Sequence, residues 1–356
     1  MIQTLTICDF RNHECSRIKI DSAKNIVLYG PNGGGKTSVL EALSAISASG
    51  SLRGAAPPDI VRIGGAGQFG VTVVLQNDTE LSVSFELTDA KRRARIDSDA
   101  APISDLSRHI RMVWITPRED RLFVDSASDR RAFFDRLVSG FDTAHTGRVI
   151  RLSKLLSERA FALKSGANPG WLAALERQLS DTAISVAAAR VKYAGEINYF
   201  LGDDYSITIS GMLEEKLANA ISAADAGSEY LEYLSKNREL IGDKMSIDGP
   251  HRADFGMINN VLAMPVAMTS TGQQKSALMR LVLSHAKLLR ARASAPVLIL
   301  LDEVAAHLDK EARAALFAEL DAIESQVWMT GLERESFNGI SNSKFIYCEN
   351  GCVYDK

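Results

Sequence analysis

The chain has 356 residues, of which 46% are hydrophobic and 24% charged. At roughly 150 residues per domain this gives two domains or one elaborated one, with core enough to fold without disulfide or metal staples and too ordinary a composition for wholesale disorder. A formal net charge of −3 excludes a uniformly basic protein that coats nucleic acid, but not a local basic face.

No run of about 18 apolar residues occurs, so no membrane span is expected. The opening stretch Met1–Glu14 carries charges and no long apolar segment, which predicts no signal peptide and a cytoplasmic location. Cys8, Cys15, Cys348 and Cys352 lie outside the usual CxxC spacing of zinc sites. They are expected to be reduced, buried thiols, with a Cys348–Cys352 metal half-site as the alternative.

In chain order, Thr4–Phe10 and Ser16–Ile20 alternate like a two-stranded start. Asn25–Tyr29 is a short apolar run before a Gly/Pro/Asn cluster, which predicts a buried strand ending in a turn. Helical periodicity follows over Ser38–Ser47. Gly70–Leu75 and Glu80–Leu87 predict a hairpin around Asn77–Thr79, and Met112–Thr116 a further strand closed by Pro117. Long helices are expected over Asp129–Ser139, Arg148–Lys164, Trp171–Leu201 and Gly211–Leu234, with Pro169 in a loop. Strand character returns over Arg252–Met268 and helix over Gln273–Arg292. Val297–Leu301 has the unbroken apolar pattern of a parallel strand buried on both faces. A helix over Lys310–Ile323, capped by Asp309, and a last core strand Val327–Thr330 complete the pattern.

Gly30-Pro31-Asn32-Gly33-Gly34-Gly35-Lys36-Thr37 fits the P-loop pattern GxxxxGK[ST] at every fixed position, between a strand and a helix. Glycines let backbone N–H groups curl around phosphates, and the helix N-terminus, with Ser38 in its first turn, adds the positive end of its dipole. Lys36 would reach the β- and γ-phosphates and Thr37 would hold Mg²⁺. The apolar run ending at Asp302 is followed by Glu303. Asp302 would support Mg²⁺, and Glu303 would polarise the attacking water as general base. This pairing points to ATP hydrolysis rather than kinase chemistry.

Ser270-Thr271-Gly272-Gln273-Gln274 heads the helix that precedes the Asp302 strand. A Ser and a Gly at a helix N-terminus form an anion site by the same dipole argument. In this order the segment, with Ser270, Gly272 and Gln273, resembles the signature motif of ABC-type ATPases, and Ala305–Asp309 resembles their D-loop. In that class the signature of one subunit completes the nucleotide site of another, so the resemblance implies an ATP-sandwiched homodimer. The strand Gln326–Gly331 ends in Thr-Gly where transporter cassettes carry a switch histidine. The fold expected is α/β: an ABC-type P-loop ATPase lobe, like the heads of Rad50 and SMC proteins, with an inserted α-helical second lobe. Its parts are 1–125 (ATPase lobe with P-loop), 126–245 (helical lobe) and 246–356 (ATPase lobe with signature and Walker B).

Nearly the whole chain resembles the RecF family of bacterial recombination mediators. The resemblance rests on Phe10-Arg11-Asn12, Ser51-Leu52-Arg53, Asp59–Gly64, Thr116–Asp120, Arg130–Asp135 and, most specifically, Asp248-Gly249-Pro250-His251-Arg252-Ala253-Asp254. It departs from the family at His13, where an aromatic residue is usual, and in the extra glycine of the P-loop. The resemblance implies a nucleotide contact for Arg11, slow DNA-stimulated ATPase activity, ATP-dependent dimerisation and binding at gaps or single-strand/double-strand junctions. It also implies cooperation with RecO and RecR in loading RecA, in support of recombinational repair, replication restart and the SOS response. The alternative readings are an ATPase subunit of an ABC-type transporter, and a clamp that binds ATP without turnover.

Residues 91–164 hold 16 Lys/Arg against 10 Asp/Glu, net +6, whereas residues 165–356 hold 18 against 25, net −7. Lys91, Arg92, Arg93 and Arg95 are expected in a hairpin loop, and Arg148, Arg151, Lys154 and Arg159 partly along one helix face. Both groups are candidate phosphate contacts. The helix at 273–292 carries Lys275, Arg280, Lys287, Arg290 and Arg292 and no acid. Arg118, Glu119 and Asp120 are candidates for sensing γ-phosphate. His251 and Arg252 are either nucleotide-proximal or structural.

Overall fold

The computed structural model describes residues 1–47, 50–239, 247–304 and 310–355. It divides into two compact units, Met1–Asp120 with His285–Lys356, and Arg121–Ser284. The predicted Ala305–Asp309 D-loop, with its Asp309 cap, and the 245/246 boundary lie outside the described residues.

The first unit is built on two sheets. Strands β1 (Ile2–Phe10), β2 (His13–Lys19), β4 (Gln68–Leu75), β5 (Glu80–Glu86), β6 (Lys91–Ile96) and β7 (Asp99–Ala101) form an antiparallel sheet in the order β2-β1-β4-β5-β6-β7. Its strands alternate, so Leu5, Ile7, Val71, Val73, Leu81 and Val83 all enter one core. The second sheet has the order β15-β14-β3-β13-β12-β8. Here β3 (Asn25–Tyr29), β8 (Arg111–Ile115), β12 (Val297–Leu301), β13 (Gln326–Gly331) and β14 (Ser343–Glu349) run parallel, and β15 (Cys352–Asp355) returns antiparallel. Helix α1 (Lys36–Ala45) shares the core through Val39, Leu40 and Leu43. A short α2 (Pro57–Ile60) and α9 (Lys310–Ala322) are further helices of this unit.

In the second unit, α4 (His145–Lys164), α5 (Pro169–Leu201), α6 (Met212–Ala218) and α7 (Ala223–Lys236) surround a core of Leu152, Leu155, Leu179, Val186, Tyr230 and Leu234, and α3 (Ala127–Phe141) stacks Phe133 and Phe134 on Phe255. A small antiparallel sheet joins β9 (Tyr205–Ser210), β10 (Asp254–Asn259) and β11 (Met264–Pro265). The division between units falls within α8 (Thr271–Arg292). Residues 247–284, grouped by sequence with the ATPase lobe, fall in this second unit.

The structure corrects several expectations. Lys91–Arg95 is not a loop but strand β6, paired along its length with β5. The helix expected over Gly211–Leu234 is two. Ala220 takes a left-handed φ of 62°, and the Ser222 side chain caps α7 by accepting from Asp225 N. Helix α5 starts at Pro169, because proline fits the first helical position and Asn168 caps it. The strand at Val327–Thr330 is not the last in the core, since β14 adds to the other side of β3. Strand β9 escaped the sequence reading although Ile207 and Ile209 alternate. Of the four thiols only Cys348 is buried, so the expectation of buried cysteines fails for Cys8, Cys15 and Cys352. Trp114 and Trp328 are core residues, whereas Trp171 is exposed.

Candidate nucleotide-binding site

Strand β3 lies between β14 and β13, all three parallel, so its carboxyl end opens at the sheet edge where the P-loop begins. Gly33 and Gly35 turn the loop with left-handed φ of 77° and 106°. Gly34 is glycine for a different reason. A Cβ there would stand 2.5 Å from the Cys348 carbonyl oxygen and 3.0 Å from that of Pro31. The extra glycine of this loop is thus forced by the close approach of β14. Lys36 is buried, and its Nζ donates to Gly30 O at 2.7 Å and Pro31 O at 2.8 Å. Burial pulls its pKa down, and the nearby Cys348, Glu303 and Asp302 oppose that.

Asp302 follows β12, and β13 separates β12 from β3. A side chain from β13 bridges that gap. Thr37 Oγ1 donates to Asp302 Oδ1 at 2.9 Å, and Thr330 Oγ1 donates to the same oxygen at 2.7 Å. The Glu303 N–H donates to Thr330 Oγ1 at 2.8 Å. Burial raises the Asp302 pKa, the two hydroxyls lower it, and Glu303 raises it further. Glu303 itself sits at a left-handed φ of 54°, a costly conformation for a non-glycine residue and one that concentrates at functional sites. The Thr37 hydroxyl and Asp302 carboxylate are the hard oxygen donors that suit Mg²⁺. Together with the glycine turns of the loop they fit a nucleoside triphosphate with its divalent cation. A cavity of about 580 Å³ runs over these groups, lined among others by Arg11, Asn32, Lys36, Thr37, Ser38 and Glu303.

The β1–β2 turn forms one wall. Arg11 has a φ of 55° and pairs twice with the fully buried Glu41, both contacts at 2.8 Å. Its third nitrogen donates to Asp59 O at 2.7 Å. Hydrogen bonding to Glu41 raises the Arg11 pKa, and burial opposes it. Arg53 approaches Glu41 at 3.6 Å. Asn12 Nδ2 donates to Gly33 O at 3.1 Å. His13 lies beneath Gly35, with Nε2 3.1 Å from its carbonyl oxygen and Nδ1 2.9 Å from Ser16 Oγ. Burial lowers its pKa, which favours the neutral ring. Nε2–H then donates to Gly35, and Ser16 Oγ lies between Nδ1 and the Gly351 carbonyl oxygen, at 2.9 and 3.3 Å.

The sequence reading missed Thr330, Glu41, Asn12 and His13 as parts of this site. The Thr-Gly end of β13 was noticed only for the histidine it lacks. Glu41 sits in the second turn of α1, five residues after Lys36, where an acid facing the core is itself a signal.

Ser270, Gly272 and Gln273 lie in the second unit, at the head of α8. The Ser270 N–H and hydroxyl donate to Gln273 Oε1 at 3.0 and 3.1 Å, and Gln273 N–H donates back to Ser270 Oγ at 3.4 Å. This reciprocal capping box fixes the helix start while Ser270, Thr271, Gly272 and Gln273 stay exposed.

The model of the RecF/RecN/SMC N-terminal domain matches residues 1–354. The DNA replication and repair protein RecF of Rhizobium leguminosarum bv. trifolii is 35% identical over 362 residues, covering 97% of this chain and 96% of that one. The chain belongs to the RecF family. The RecF of Rhizobium johnstonii is 34% identical over 371 residues, covering 99% of this chain and 98% of that one. A solved structure described as the recombination mediator protein RecF with ATPrS, in the RecFOR pathway, superposes with a TM-score of 0.85 at 18% identity. It covers 99% of this chain and 97% of its own, and so shares the fold.

The RecF-like motifs of the second unit converge. Arg130 pairs twice with Asp254, at 2.8 and 2.6 Å, and Arg131 donates to Ala253 O at 2.9 Å. Asp135 pairs twice with Arg190 at 2.8 Å and once with His145 at 2.8 Å. Arg190 also donates to Glu214 at 2.8 Å and to Pro250 O at 2.6 Å. Phe134 stacks on Phe255 at 4.6 Å. Arg252 pairs with Asp248 at 3.0 Å, and burial lowers the pKa of His251.

The basic candidates separate. Lys91 and Arg95 are exposed. Arg92 is not a free surface charge, because it donates to the Ala45 carbonyl at the end of α1 and burial lowers its pKa. Arg93 pairs with Asp89 and Glu86, Arg148 with Asp142 at 2.5 Å, and Arg151 with Gln178 at 3.3 Å. Arg159 is drawn inside, to Glu176 at 3.0 Å, which removes it from the proposed basic face. Glu119 accepts from Thr116 N and Oγ1, at 2.8 and 2.6 Å, and so turns back on its own loop; Arg118 is exposed.

Proposed function

We propose that this protein is an ATP-gated DNA-binding factor of recombinational repair and replication restart. The observation that carries the reading is the Thr37–Asp302–Thr330 node, whose Thr37 lines a glycine-turned P-loop cavity, in a chain of the RecF family. Backbone N–H groups of Gly33–Lys36 and the start of α1 would hold the phosphates, with Lys36 exchanging its carbonyl partners for them. Thr37 and Asp302 would hold Mg²⁺, and Val61 and the exposed Ile63 give apolar surface at the rim for the base. When bound, ATP with Mg²⁺ supplies a phosphoanhydride whose cleavage can time the association. Glu303 lines the cavity and would orient and deprotonate a water, and the exposed Ser270–Gln273 would cap the nucleotide of a second copy. Lys91 and Arg95 are exposed basic candidates for contact with DNA phosphates. By likeness to relatives named for the RecFOR pathway, RecO and RecR are the partner candidates.

The test is binding to a gapped duplex with and without ATP, with light scattering to report mass. Binding and dimerisation should both require ATP and vanish in Lys36→Ala. ATP-independent binding, or wild-type nucleotide affinity in that variant, would overturn the reading.

A further inference from the structure

Cys8 and Cys15 face each other across β1 and β2, with Sγ atoms 3.0 Å apart. Their position in the ladder is suited to a bond. Ile20 N donates to Gln3 O at 2.9 Å, so pairs at odd offsets from Gln3–Ile20, including Cys8–Cys15, are non-hydrogen-bonded. Such pairs bring Cα atoms to about 4.5 Å, within the span a disulfide accepts. Both side chains lie on the face away from the core that Leu5 and Ile7 enter, and Cys15 is exposed on the edge strand. The same hairpin ends in Arg11, Asn12 and His13, two of which hydrogen-bond the P-loop at Gly33 and Gly35.

We propose that Cys8 and Cys15 form a reversible, peroxide-driven disulfide that staples the β1–β2 hairpin and so holds the P-loop clamp against the bound nucleotide. The Cys15 thiolate attacks peroxide, breaking the O–O bond to give a sulfenic acid and releasing water after protonation. Cys8 sulfur then attacks the sulfenic sulfur, forming the S–S bond and expelling hydroxide, which takes up the Cys8 proton as a second water. Two thiols are oxidised by two electrons and one peroxide is reduced to two waters. Burial, together with the hydrogen bond shared with Cys15, pushes the Cys8 thiol up to about 11, so Cys8 enters the second step as a thiol whose proton leaves with the expelled hydroxide. Stapling limits the fraying that would release Asn12 and His13 from the P-loop, and a preorganised clamp lets nucleotide go more slowly.

The coupling to nucleotide rests on the proposed ATP site; the cross-link does not. The full-length protein is treated with hydrogen peroxide, digested and mapped, and release of a fluorescent ATP analogue is timed before and after dithiothreitol. We expect a Cys8–Cys15 linked peptide, a severalfold slower release reversed by the reductant, and neither effect in Cys15→Ser. Oxidation that yields sulfinic acid without the linked peptide, or a linked peptide with unchanged release, would overturn the proposal. Failure of the reduced protein to bind the analogue at all would instead sink the nucleotide reading, leaving the cross-link result to stand or fall alone.

Discussion

Glu303 and Asp302 are neighbours with opposite situations. Asp302 is buried and its oxygen is shared by two threonine hydroxyls, whereas Glu303 is held at a strained φ with its side chain bordering the cavity. That division suits one acid to a cation and the other to a water. Glu303→Gln keeps size and polarity but cannot take a proton. It should retain ATP, accumulate the ATP-bound dimer, and lose turnover by about 10²–10⁴-fold; single-turnover hydrolysis at the wild-type rate would mean that another group is the base. His13 carries a pH dependence. Its folded pKa is depressed by burial, so the unfolded chain binds the proton more readily. Stability is therefore full above the ordinary value of 6.5 and falls as the pH drops below it. Thermal melts from pH 7.5 to pH 5.5 should show this loss, and His13→Gln should flatten it.

At the scale of elements, the second unit is tied by charge as much as by apolar packing. Arg190 on α5 holds Asp135 of α3, Glu214 of α6 and the Pro250 carbonyl together, while being almost fully buried. Burial raises the Glu214 pKa and Arg190 counters it. Arg190→Leu would leave Glu214 without its cation and Asp135 with His145 alone, which costs about 3–5 kcal/mol when one partner of a buried pair is removed. The midpoint of urea unfolding should drop accordingly with little change in slope; an unchanged midpoint would show that the network is relaxed by water or by protonation of Glu214. The sequence stretches at Arg130–Asp135 and Asp248–Asp254, far apart in the chain, are the two halves of this same arrangement.

For the whole molecule, the charge of −3 is an average over a basic stretch at 91–164 and an acidic remainder. The fold thins that basic stretch. Arg92 and Arg159 serve interior contacts, and Arg93 and Arg148 are matched by acids. Replacing both Lys91 and Arg95 with Glu should weaken DNA binding and flatten its salt dependence, by about one unit of log–log slope per lost phosphate contact. Fluorescence anisotropy across a salt series, with nucleotide affinity measured alongside, checks this. Equal loss in Arg92→Glu without loss of stability would contradict the assignment of Arg92 to the end of α1.

The sequence by itself determined the P-loop. Gly30–Thr37 is contiguous, and its spacing encodes a local turn whose geometry depends on little beyond the strand before it and the helix after it. The Val297–Leu301 run and its two acids were legible for the same reason, as was the alternation that built β1, β4 and β5. What only the tertiary structure decided are the contacts between segments that are not neighbours in the chain. Thr330 becomes part of the site because β13 lies between β3 and β12. Gly34 must be glycine because a carbonyl of β14 approaches it, and Arg92 leaves the surface because the end of α1 lies under β6. No local pattern records such neighbours, because strand order is set by which faces can be buried together rather than by order in the chain.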